Sequence, residues 1–408
     1  MGGRHMASIF EGIKVIDLTN NLAGPLCTQM LADYGAEVYK VERPVAGDDT
    51  RSIAPRIEGQ ALFYFWANRG KKSITLALDD PRAQEVLYEM TKTADIFIES
   101  YKPGMMKRFH LEYERLAQIN PKLIYCSVSV AGQTGAHSDM PGFDIIAQGM
   151  SGLMDMTGEV DGPPTKCGTV LGDYVGTLNA FGAISAALFH RERTGEGQYI
   201  DISLLDGLVA INTCLDQAAT LGTHPTRTGG HHNTICPYGI FRNHAGESCI
   251  IAAYTAKMWP NLCRLMGRPE LTDDPKFATN VARLEHLEEL VGIIEDWLDA
   301  QPSIDAAVER MAEVGIATCK IYDTSQVAAD PDYWERGILT EIPLPPSFHE
   351  HTHIRARGAW LHFSKTPAVI RRASDLGEYN QEVLSQYGMT PEEIDRYEAE
   401  WAGRFQKK

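Results

Sequence analysis

The first third of the chain alternates apolar strand segments with helical segments, and this pattern constrains the fold more than any other feature. Strands are predicted over IKVIDL (13–18), EVYKVE (37–42), ADIFIES (94–100) and LIYCSVSV (123–130), with helices between them over PLCTQMLADYG and PRAQEVLYEMTKT. Such alternation predicts βαβ units, a parallel sheet and helices on the sheet faces. We therefore expect an α/β fold that binds its ligands at the carboxyl ends of the strands.

The composition changes after the middle of the chain, which indicates a second domain. A long apolar helix is predicted after LGDYVGT (171–177), then a strand YIDISL and a helix from about Leu205 to Leu221. Residues 222–239 are rich in Gly, Pro, Thr and His, which is typical of a linker or a functional loop. A short strand pair and amphipathic helices follow and predict a smaller α+β domain. The predicted division is a leader foreign to the native protein at 1–8, a large domain at 9–222, a small domain at 223–328 and the C-terminal part of the large domain at 329–408.

The charge and the cysteines exclude several classes of function. With 54 acidic against 38 basic residues the net charge is −16, which argues against a nucleic-acid or anionic-membrane partner. The eight cysteines form no CxxC pair, so we expect free thiols in a reducing cytoplasm. No apolar run reaches membrane-spanning length and no signal peptide is visible. His349, His351 and His353 alternate in HEHTH without a Cys or carboxylate at a fixed spacing, and are interpreted as a solvated strand face rather than a metal site.

A dinucleotide site after the first strand is an alternative that the sequence does not favour. Glu42 ends the second strand 18 residues past Gly24, roughly where an acidic ribose ligand would lie. The glycine triplet is missing, because only Gly24 precedes Pro25. Close approach of the backbone to a pyrophosphate is therefore not provided for.

Asp173 stands in LGDYVGT at the start of the long apolar helix, and two hypotheses explain it. As an N-cap residue it would accept hydrogen bonds from the free N–H groups of the first turn. As a carboxylate in a dry pocket it could act as a nucleophile or a base. The local sequence leaves both open.

Basic residues near the strands supply a local cation cluster that an acidic protein otherwise lacks. Arg43 follows the second strand, Lys71 and Lys72 lie in NRGKKSI just before a strand, and Arg108 lies in YKPGMMKRF, where Tyr101 could stack on a base. Coenzyme A carries three phosphate groups and an adenine. This cluster therefore predicts an acyl-CoA site.

The order of motifs along most of the chain resembles the family III CoA-transferases, which include formyl-CoA:oxalate and carnitine CoA-transferases. The resemblance implies that Asp173 is the nucleophile and that Arg43, Lys71 and Arg108 contact CoA. The segments that carry it are IDLTNNLAGPLCTQMLADYGAEVYKVERP, NRGKKSITLAL, ADIFIESYKPGMMKRF, NPKLIYCSVSVAGQTG, GFDIIAQGMSGLM, LGDYVGT and RTGEGQYIDISLLDG.

The resemblance also implies the architecture and the partners. It implies a Rossmann-like large domain built from both chain ends, a small domain from the middle, and a homodimer of two interlocked subunits. The implied substrates are an acyl-CoA and a free carboxylic acid, with no tightly bound cofactor.

Racemase activity, found in the same superfamily, is the alternative function. In them a His precedes the Asp of the segment that reads GFDIIAQG here, whereas this chain has Phe143 before Asp144. The racemase Glu of the middle domain has no counterpart in IIAAYTAKMWP. Without a pair of bases, proton exchange at an α-carbon is disfavoured. A non-catalytic CoA-binding relative stays open.

The acceptor acid is predicted less sharply. The loop with Gly229, Gly230, His231 and His232 resembles the family's glycine-rich lid, and with Arg227 it could receive a second carboxylate. This favours a small dicarboxylate acceptor, with a carnitine-like or bile-acid acceptor as its rival.

Residues after the first strand bear on the same question. Leu22, preceded by Asn20 and Asn21, stands where formyl-CoA:oxalate enzymes carry a Gln. Oxalate is therefore not expected as the acceptor.

Overall fold

The computed structural model describes residues 8–405, so the predicted leader, apart from Ser8, lies outside the described residues. The strands are β1 Lys14–Leu18, β2 Glu37–Glu42, β3 Arg56–Ile57, β4 Gln60–Ala61, β5 Lys72–Thr75, β6 Ile96–Glu99, β7 Ile124–Ser129, β8 Gln198–Ser203, β9 Tyr238–Arg242, β10 Ser248–Ala252, β11 Ala317–Lys320, β12 Leu339–Pro343 and β13 His353–Arg357. The helices are α1 Ala23–Asp33, α2 Leu62–Ala67, α3 Pro81–Thr91, α4 Met105–Arg108, α5 Tyr113–Ile119, α6 Asp144–Met150, α7 Leu171–Thr194, α8 Leu204–Ala210, α9 Leu215–Leu221, α10 Met258–Leu265, α11 Asn280–Glu285, α12 Leu287–Asp299, α13 Ile304–Glu313, α14 Thr324–Ala329, α15 Pro331–Glu335, α16 Asn380–Leu384 and α17 Pro391–Phe405.

A six-stranded parallel sheet in the order β5-β2-β1-β6-β7-β8 forms the centre of the larger of two compact units. The predicted α/β fold with a parallel sheet is confirmed. Its strands are apolar on both faces because helices cover both. The strand order reverses between β1 and β6, and ligands of open parallel sheets bind at such a switch point.

Helices α1 and α7 pack together on one face of this sheet. All residues of α1 are buried, and Thr177 of α7 donates its hydroxyl to the carbonyl of Ala23 at 2.9 Å. A side chain at Gly176 would place its Cβ 2.3 Å from a methyl group of Leu204, so α7 and α8 approach closely at this glycine and a larger residue would displace the leucine. These contacts fix the amino end of α7 near the carboxyl ends of the strands.

The C-terminal residues complete the large unit, which comprises the described residues up to Leu153, Cys167–Leu215 and the residues from Pro331 onwards. Asn380 accepts the backbone N–H of Thr75 at 2.7 Å, and Val383 and Leu384 join the core on the second sheet face. A capping box begins α17: the Glu393 carboxylate accepts the Thr390 N–H at 2.8 Å, and the Thr390 hydroxyl accepts the Glu393 N–H at 3.3 Å.

The small unit comprises Met154–Lys166 and Asp216–Asp330. A three-stranded antiparallel sheet, β11-β10-β9, packs with apolar helices around its own core. The composition predicts 154–166 as part of the large domain, whereas Gly229 of the small unit donates its N–H to Gly158 at 3.1 Å.

The helix predicted from Leu205 to Leu221 is in fact two helices, α8 and α9. Asn212 lies between them, where its side chain donates to the Ser151 carbonyl at 3.0 Å and accepts the Cys214 N–H at 3.1 Å. Such side-chain to backbone bonds compete with the helical pattern. No helix in the described part of the chain is both long and apolar enough to cross a membrane.

Candidate active site

Asp173 lies in the first turn of α7 and does not cap it. The helix begins at Leu171 after Val170, whose side chain makes no capping bond. The Gly172 N–H donates to the Asp144 carboxylate at 2.6 Å, so a residue of α6 does the capping. The capping hypothesis for Asp173 is therefore wrong.

The carboxylate of Asp173 accepts no hydrogen bond from the residues at 8–405. Burial and, less strongly, the negative charge of Asp144 together raise its pKa to about 7. A carboxylate that no donor stabilises is more basic and a better nucleophile than one at the surface. Such a shift in a cavity is typical of a functional group.

Asp173 faces a cavity of about 430 Å³ at the carboxyl ends of β1, β6 and β7. Four of the residues that the sequence singles out line it with Asp173: Asn20, Leu22, Tyr101 and Phe143. The loops after β1 and β6 form part of the wall, so the cavity lies at the switch point of the sheet.

The loop between β1 and α1 is held in place by hydrogen bonds and close packing. Asn20 donates its N–H to the Ser100 hydroxyl at 2.8 Å and its side-chain amide to Asp49 at 2.6 Å. A Cβ at Gly24 would lie 2.4 Å from Thr19, so this glycine allows the helix to approach the strand rather than a pyrophosphate. The loop thus forms a defined wall next to Asp173.

A second cavity of about 470 Å³, the arginine cavity, combines three arginines with an aromatic and apolar surface. Arg43, Tyr101 and Arg108 line it together with Met105, Phe109, Trp401 and Arg404. Arg43 pairs with Asp49 and is about half exposed, whereas Arg108 has no acidic partner among the described residues. These side chains suit phosphate groups and a flat base.

A small cleft of about 70 Å³ shares its walls with both cavities. It is lined by Asn20, which also lines the Asp173 cavity, and by Arg43, which also lines the arginine cavity. Tyr101 lines all three spaces. The predicted residues Arg43, Tyr101, Arg108 and Asp173 therefore lie along one path.

Lys71 and Lys72 do not lie on this path. The ammonium of Lys71 is buried against Asp17 at 3.0 Å, the Pro25 carbonyl at 2.8 Å and Asn68 at 2.7 Å. Lys72 pairs with Glu37 and Glu382. Both lysines stand at the amino end of β5, whereas the cavities lie at the carboxyl ends of strands.

The ion pair of Lys71 belongs to a buried network. Burial acts to raise the pKa of Asp17, but the charges of Lys40 and Lys71 and two threonine hydroxyls outweigh it and hold this pKa at about 2. Burial lowers the pKa of Lys71 to about 8. Lys40 in turn contacts Asp48 at 2.9 Å. These charges stabilise one another and leave none free for a ligand.

Glu42, the acid that a dinucleotide site would use, is also engaged. Two nitrogens of Arg51 donate to its carboxylate at 2.7 Å each, and the Tyr64 hydroxyl donates at 2.9 Å. Glu42 is buried by these contacts. It does not offer a free carboxylate to a ribose.

Phe143 and Asp144 have separate roles although they are adjacent. Phe143 is 70% exposed and lies in the wall of the Asp173 cavity, where it supplies no proton-transfer group. Asp144 is buried and accepts from Gln148 at 2.6 Å as well as from Gly172. It acts on the site through the helix that carries Asp173.

The predicted lid residues belong to the small unit and have partners within it. Gly229 adopts a φ of 63°, and burial lowers the pKa of His231, whose ring packs on Phe241 at 5.2 Å. Gly230 accepts the N–H of Ile240 at 2.9 Å, and the His232 ring packs on Tyr238 at 5.3 Å. Arg227 donates to the Asp155 carbonyl at 2.6 Å. Their part in acceptor binding stays a prediction.

The histidines of HEHTH do not form one strand face. Only His353 lies in β13, whereas the N–H groups of His349, Glu350 and His351 donate to the Glu58 carboxylate at 2.6, 3.0 and 2.9 Å. The segment therefore serves to hold a neighbouring turn. Within residues 8–405 no three His, Cys, Asp or Glu side chains are arranged to hold a metal ion.

Two cavity residues escaped the sequence reasoning, Lys102 and Ser129. Lys102 follows β6 and Ser129 ends β7, so both stand where the strand-end rule points. That rule could have found them.

Comparison with known proteins identifies the family. Residues 10–380 match CoA-transferase family III. The chain belongs to this family. It is therefore an enzyme, a CoA-transferase, which acts on CoA thioesters.

Its relatives cover nearly the whole chain. The acetyl-CoA:oxalate CoA-transferase of Acetobacter aceti is 38% identical over 81% of this chain and 85% of its own length. The succinyl-CoA:mesaconate CoA-transferase of Haloarcula hispanica is 36% identical over 93% and 96%. The crystal structure of a CAIB/BAIF family protein from Brucella suis superposes with a TM-score of 0.82 at 33% identity, over 94% of this chain and all of that one.

Proposed function

We propose that this CoA-transferase moves CoA from an acyl-CoA to a small dicarboxylic acid, with Asp173 as the covalent nucleophile. The observation that carries the proposal is the Asp173 carboxylate itself. It has no hydrogen-bond donor among the described residues, and its pKa is raised to about 7. It faces a cavity that the small cleft joins to the arginine cavity.

The path of cavities supports one placement of the acyl-CoA. The nucleotide and its phosphates occupy the space beside Arg43 and Arg108, and the pantetheine arm passes Tyr101 and Asn20. The thioester then reaches Asp173. Binding of the remote nucleotide holds the reacting carbon next to the carboxylate.

The first half of the reaction loads CoA onto the enzyme. A carboxylate oxygen of Asp173 attacks the thioester carbon, the C–S bond breaks, and CoA leaves as a thiolate from a mixed anhydride. The thiolate then attacks the Asp173 carbonyl carbon. An aspartyl-CoA thioester forms and the donor acid leaves as its carboxylate.

The second half runs the same bonds in reverse. The acceptor carboxylate attacks the aspartyl thioester and expels the thiolate, which gives a new anhydride. The thiolate attacks the acceptor's carbonyl carbon, so the acceptor leaves as its CoA thioester and Asp173 returns as a carboxylate. No proton or electron is left over in either half.

The chemistry of the acceptor rests on the relatives and on the cavity wall. The two relatives described above carry oxalate and mesaconate in their names, and both are dicarboxylic acids. The apolar side chains of Leu22 and Phe143 line the cavity and suit a carbon chain. Leu22 in place of a polar residue favours a chain longer than that of oxalate.

A racemase of the same superfamily is the alternative with least support. Proton exchange at an α-carbon needs acid and base groups beside the substrate. At position 143 the cavity wall carries a phenyl ring, and Asp144 is turned to the amino end of α7. A non-catalytic CoA-binding role would not explain why the pKa of Asp173 is raised.

We also propose that two copies of the chain form a homodimer. Leu178 and Phe189 lie 11 residues apart on α7, about three helical turns, and are 48% and 66% exposed. Exposed apolar side chains on one helix face suit a protein partner. Light scattering during size-exclusion chromatography is expected to give twice the mass of one chain.

The function is tested by a substrate screen and by trapping the intermediate. Succinyl-CoA and acetyl-CoA are offered as donors with a panel of mono- and dicarboxylic acids, and products are read by mass spectrometry. With a donor and no acceptor, we expect a peptide containing Asp173 to gain the mass of CoA less water and to lose it in hydroxylamine. An adduct on another residue, or no exchange with any acid, contradicts the proposal.

A further inference from the structure

Two polar side chains in the wall of the Asp173 cavity have no partner among the described residues. Lys102 is exposed and its ammonium forms no ion pair or hydrogen bond. The hydroxyl of Ser129 is buried and likewise has no hydrogen-bond partner. Burying a hydroxyl without a hydrogen-bond partner costs free energy, and a bound ligand that supplies the partner would explain why it is tolerated.

The sheet places these two residues at the same part of the cavity. Strands β6 and β7 are parallel neighbours, with Glu99 paired to Ser127. Lys102 comes three residues after Glu99, and Ser129 comes two residues after Ser127. Both therefore extend from adjacent strand ends into one wall.

Two neighbouring polar side chains of the cavity wall already have partners. Asn20 is bound to Asp49, and the Ser138 hydroxyl donates to the Gly135 carbonyl at 2.9 Å. Among the described residues that line this cavity, Lys102 is the one cation. The ammonium therefore supplies the positive charge that this wall offers to an anion, and Ser129 adds a hydroxyl without a partner.

We propose that Lys102 and Ser129 bind the second carboxylate of the substrate while its first carboxylate faces Asp173. The inference rests on the proposed function and assigns its specificity. The ammonium supplies the opposite charge and the hydroxyl donates a hydrogen bond. Between the two ends, Val128, Met140 and Leu204 contact the carbon chain. The site then selects a dicarboxylate over a monocarboxylate with the same number of carbons.

The test compares matched acids in matched variants. Glutarate is paired with pentanoate and succinate with butanoate, at a saturating concentration of whichever donor the screen identifies. Lys102→Met and Ser129→Ala are compared with two controls outside the cavity wall, Lys107→Met at an exposed lysine of α4 and Ser385→Ala at an exposed serine. Thermal unfolding of each variant checks that it is folded.

We expect Lys102→Met to raise the KM for the dicarboxylates roughly 10-fold or more and Ser129→Ala roughly 5-fold, the range of a hydrogen bond with a charged partner. The KM for the monocarboxylates and the KM for a donor without a second carboxylate, such as acetyl-CoA, are expected to stay unchanged, as are all values in the control variants. A merely structural role would alter both classes of acid alike.

Three results would overturn the inference, and one of them also ends the proposed function. An equal loss for both classes of acid, or wild-type enzyme that uses monocarboxylates as well as dicarboxylates, removes the second-carboxylate site while transfer stands. An absence of CoA exchange with every acid removes both.

Discussion

Two sets of charges, a buried network and the charges along the cavities, differ in their partners. In the buried network Asp17, Lys40 and Lys71 each contact an opposite charge or a carbonyl within 3.0 Å. Along the cavities, Asp173 and Arg108 have no charged partner among the described residues. The first set holds the fold together, and the second is free to meet a ligand.

The two lysines Lys71 and Lys102 show how little residue type says about role. Lys71 precedes a strand and is buried among three partners, whereas Lys102 follows a strand and has none among the described residues. The end of the strand at which a charge stands separates a structural cation from one that faces the site.

The largest expected effect is the loss of CoA transfer when the carboxylate of Asp173, in the set along the cavities, is removed. Asp173→Asn keeps the shape but loses the carboxylate that forms the anhydride, so transfer is expected to fall roughly 10⁴-fold or more. Initial rates and the aspartyl adduct are measured together. Since Asp173 does not cap α7, the variant is expected to unfold no earlier than wild type. Transfer at the wild-type rate would show that another residue is the nucleophile.

Lys71→Ala removes one cation from the buried network. Removing one partner leaves the Asp17 charge buried with less compensation, and we expect the free energy of unfolding to fall by roughly 3–5 kcal/mol in urea denaturation. Lys72→Ala is the matched control, because its partly exposed pairs contribute about 0–1 kcal/mol. Equal stability of the two variants would contradict the distinction between the buried ion pair of Lys71 and the partly exposed pairs of Lys72.

Arg108→Ala removes an unpaired charge from the arginine cavity. We expect the KM for acyl-CoA to rise by the equivalent of about 1–2 kcal/mol at low salt, with the free energy of unfolding unchanged. Arg115→Ala serves as the control, since Arg115 pairs with Glu112 and does not line the arginine cavity. An acyl-pantetheine without the nucleotide should bind equally to both variants. An unchanged KM for acyl-CoA would remove Arg108 from the site.

A further expected effect is a pH-dependent change in stability at Asp173. Because the folded pKa of about 7 lies above the ordinary aspartate pKa of 3.8, the folded state holds this proton more tightly than the unfolded state. The group therefore stabilises the fold at low pH and loses that contribution as the pH rises from about 4 to about 7. The Tm advantage of Asp173→Asn over wild type should grow across this window and then level off. A constant difference would mean that the carboxylate has an ordinary pKa.

Much of the sheet and part of the site follow from sequence. Strands β1, β2, β6 and β7 lie within two residues of their predicted bounds, because buried parallel strands form continuous apolar runs between helices. Asn20, Leu22, Tyr101 and Phe143 follow strands or adjoin the start of a helix, and they meet at the predicted edge. Local pattern and the strand-end rule were sufficient for these residues.

The rest depended on contacts between residues far apart in the chain. The partners of Lys71 come from Asp17 and Pro25, more than forty residues away, so no local pattern separates this lysine from a surface cation. The cap of α7 comes from Asp144, 28 residues earlier. Met154–Lys166 joins the small unit through contacts with residues after 216.

The discontinuity of the large unit sets an order of events during protein synthesis. The core of the small unit is drawn from one stretch, Cys236 to Ile316, and is fully translated while the ribosome has yet to add Asn380, Val383 and Leu384. At roughly 5–20 residues per second, several seconds separate the two. Until the last helices emerge, the nascent β5 edge lacks the amide that binds Thr75 and the side chains that cover its apolar face. A chaperone that binds apolar surface has its opportunity in that interval.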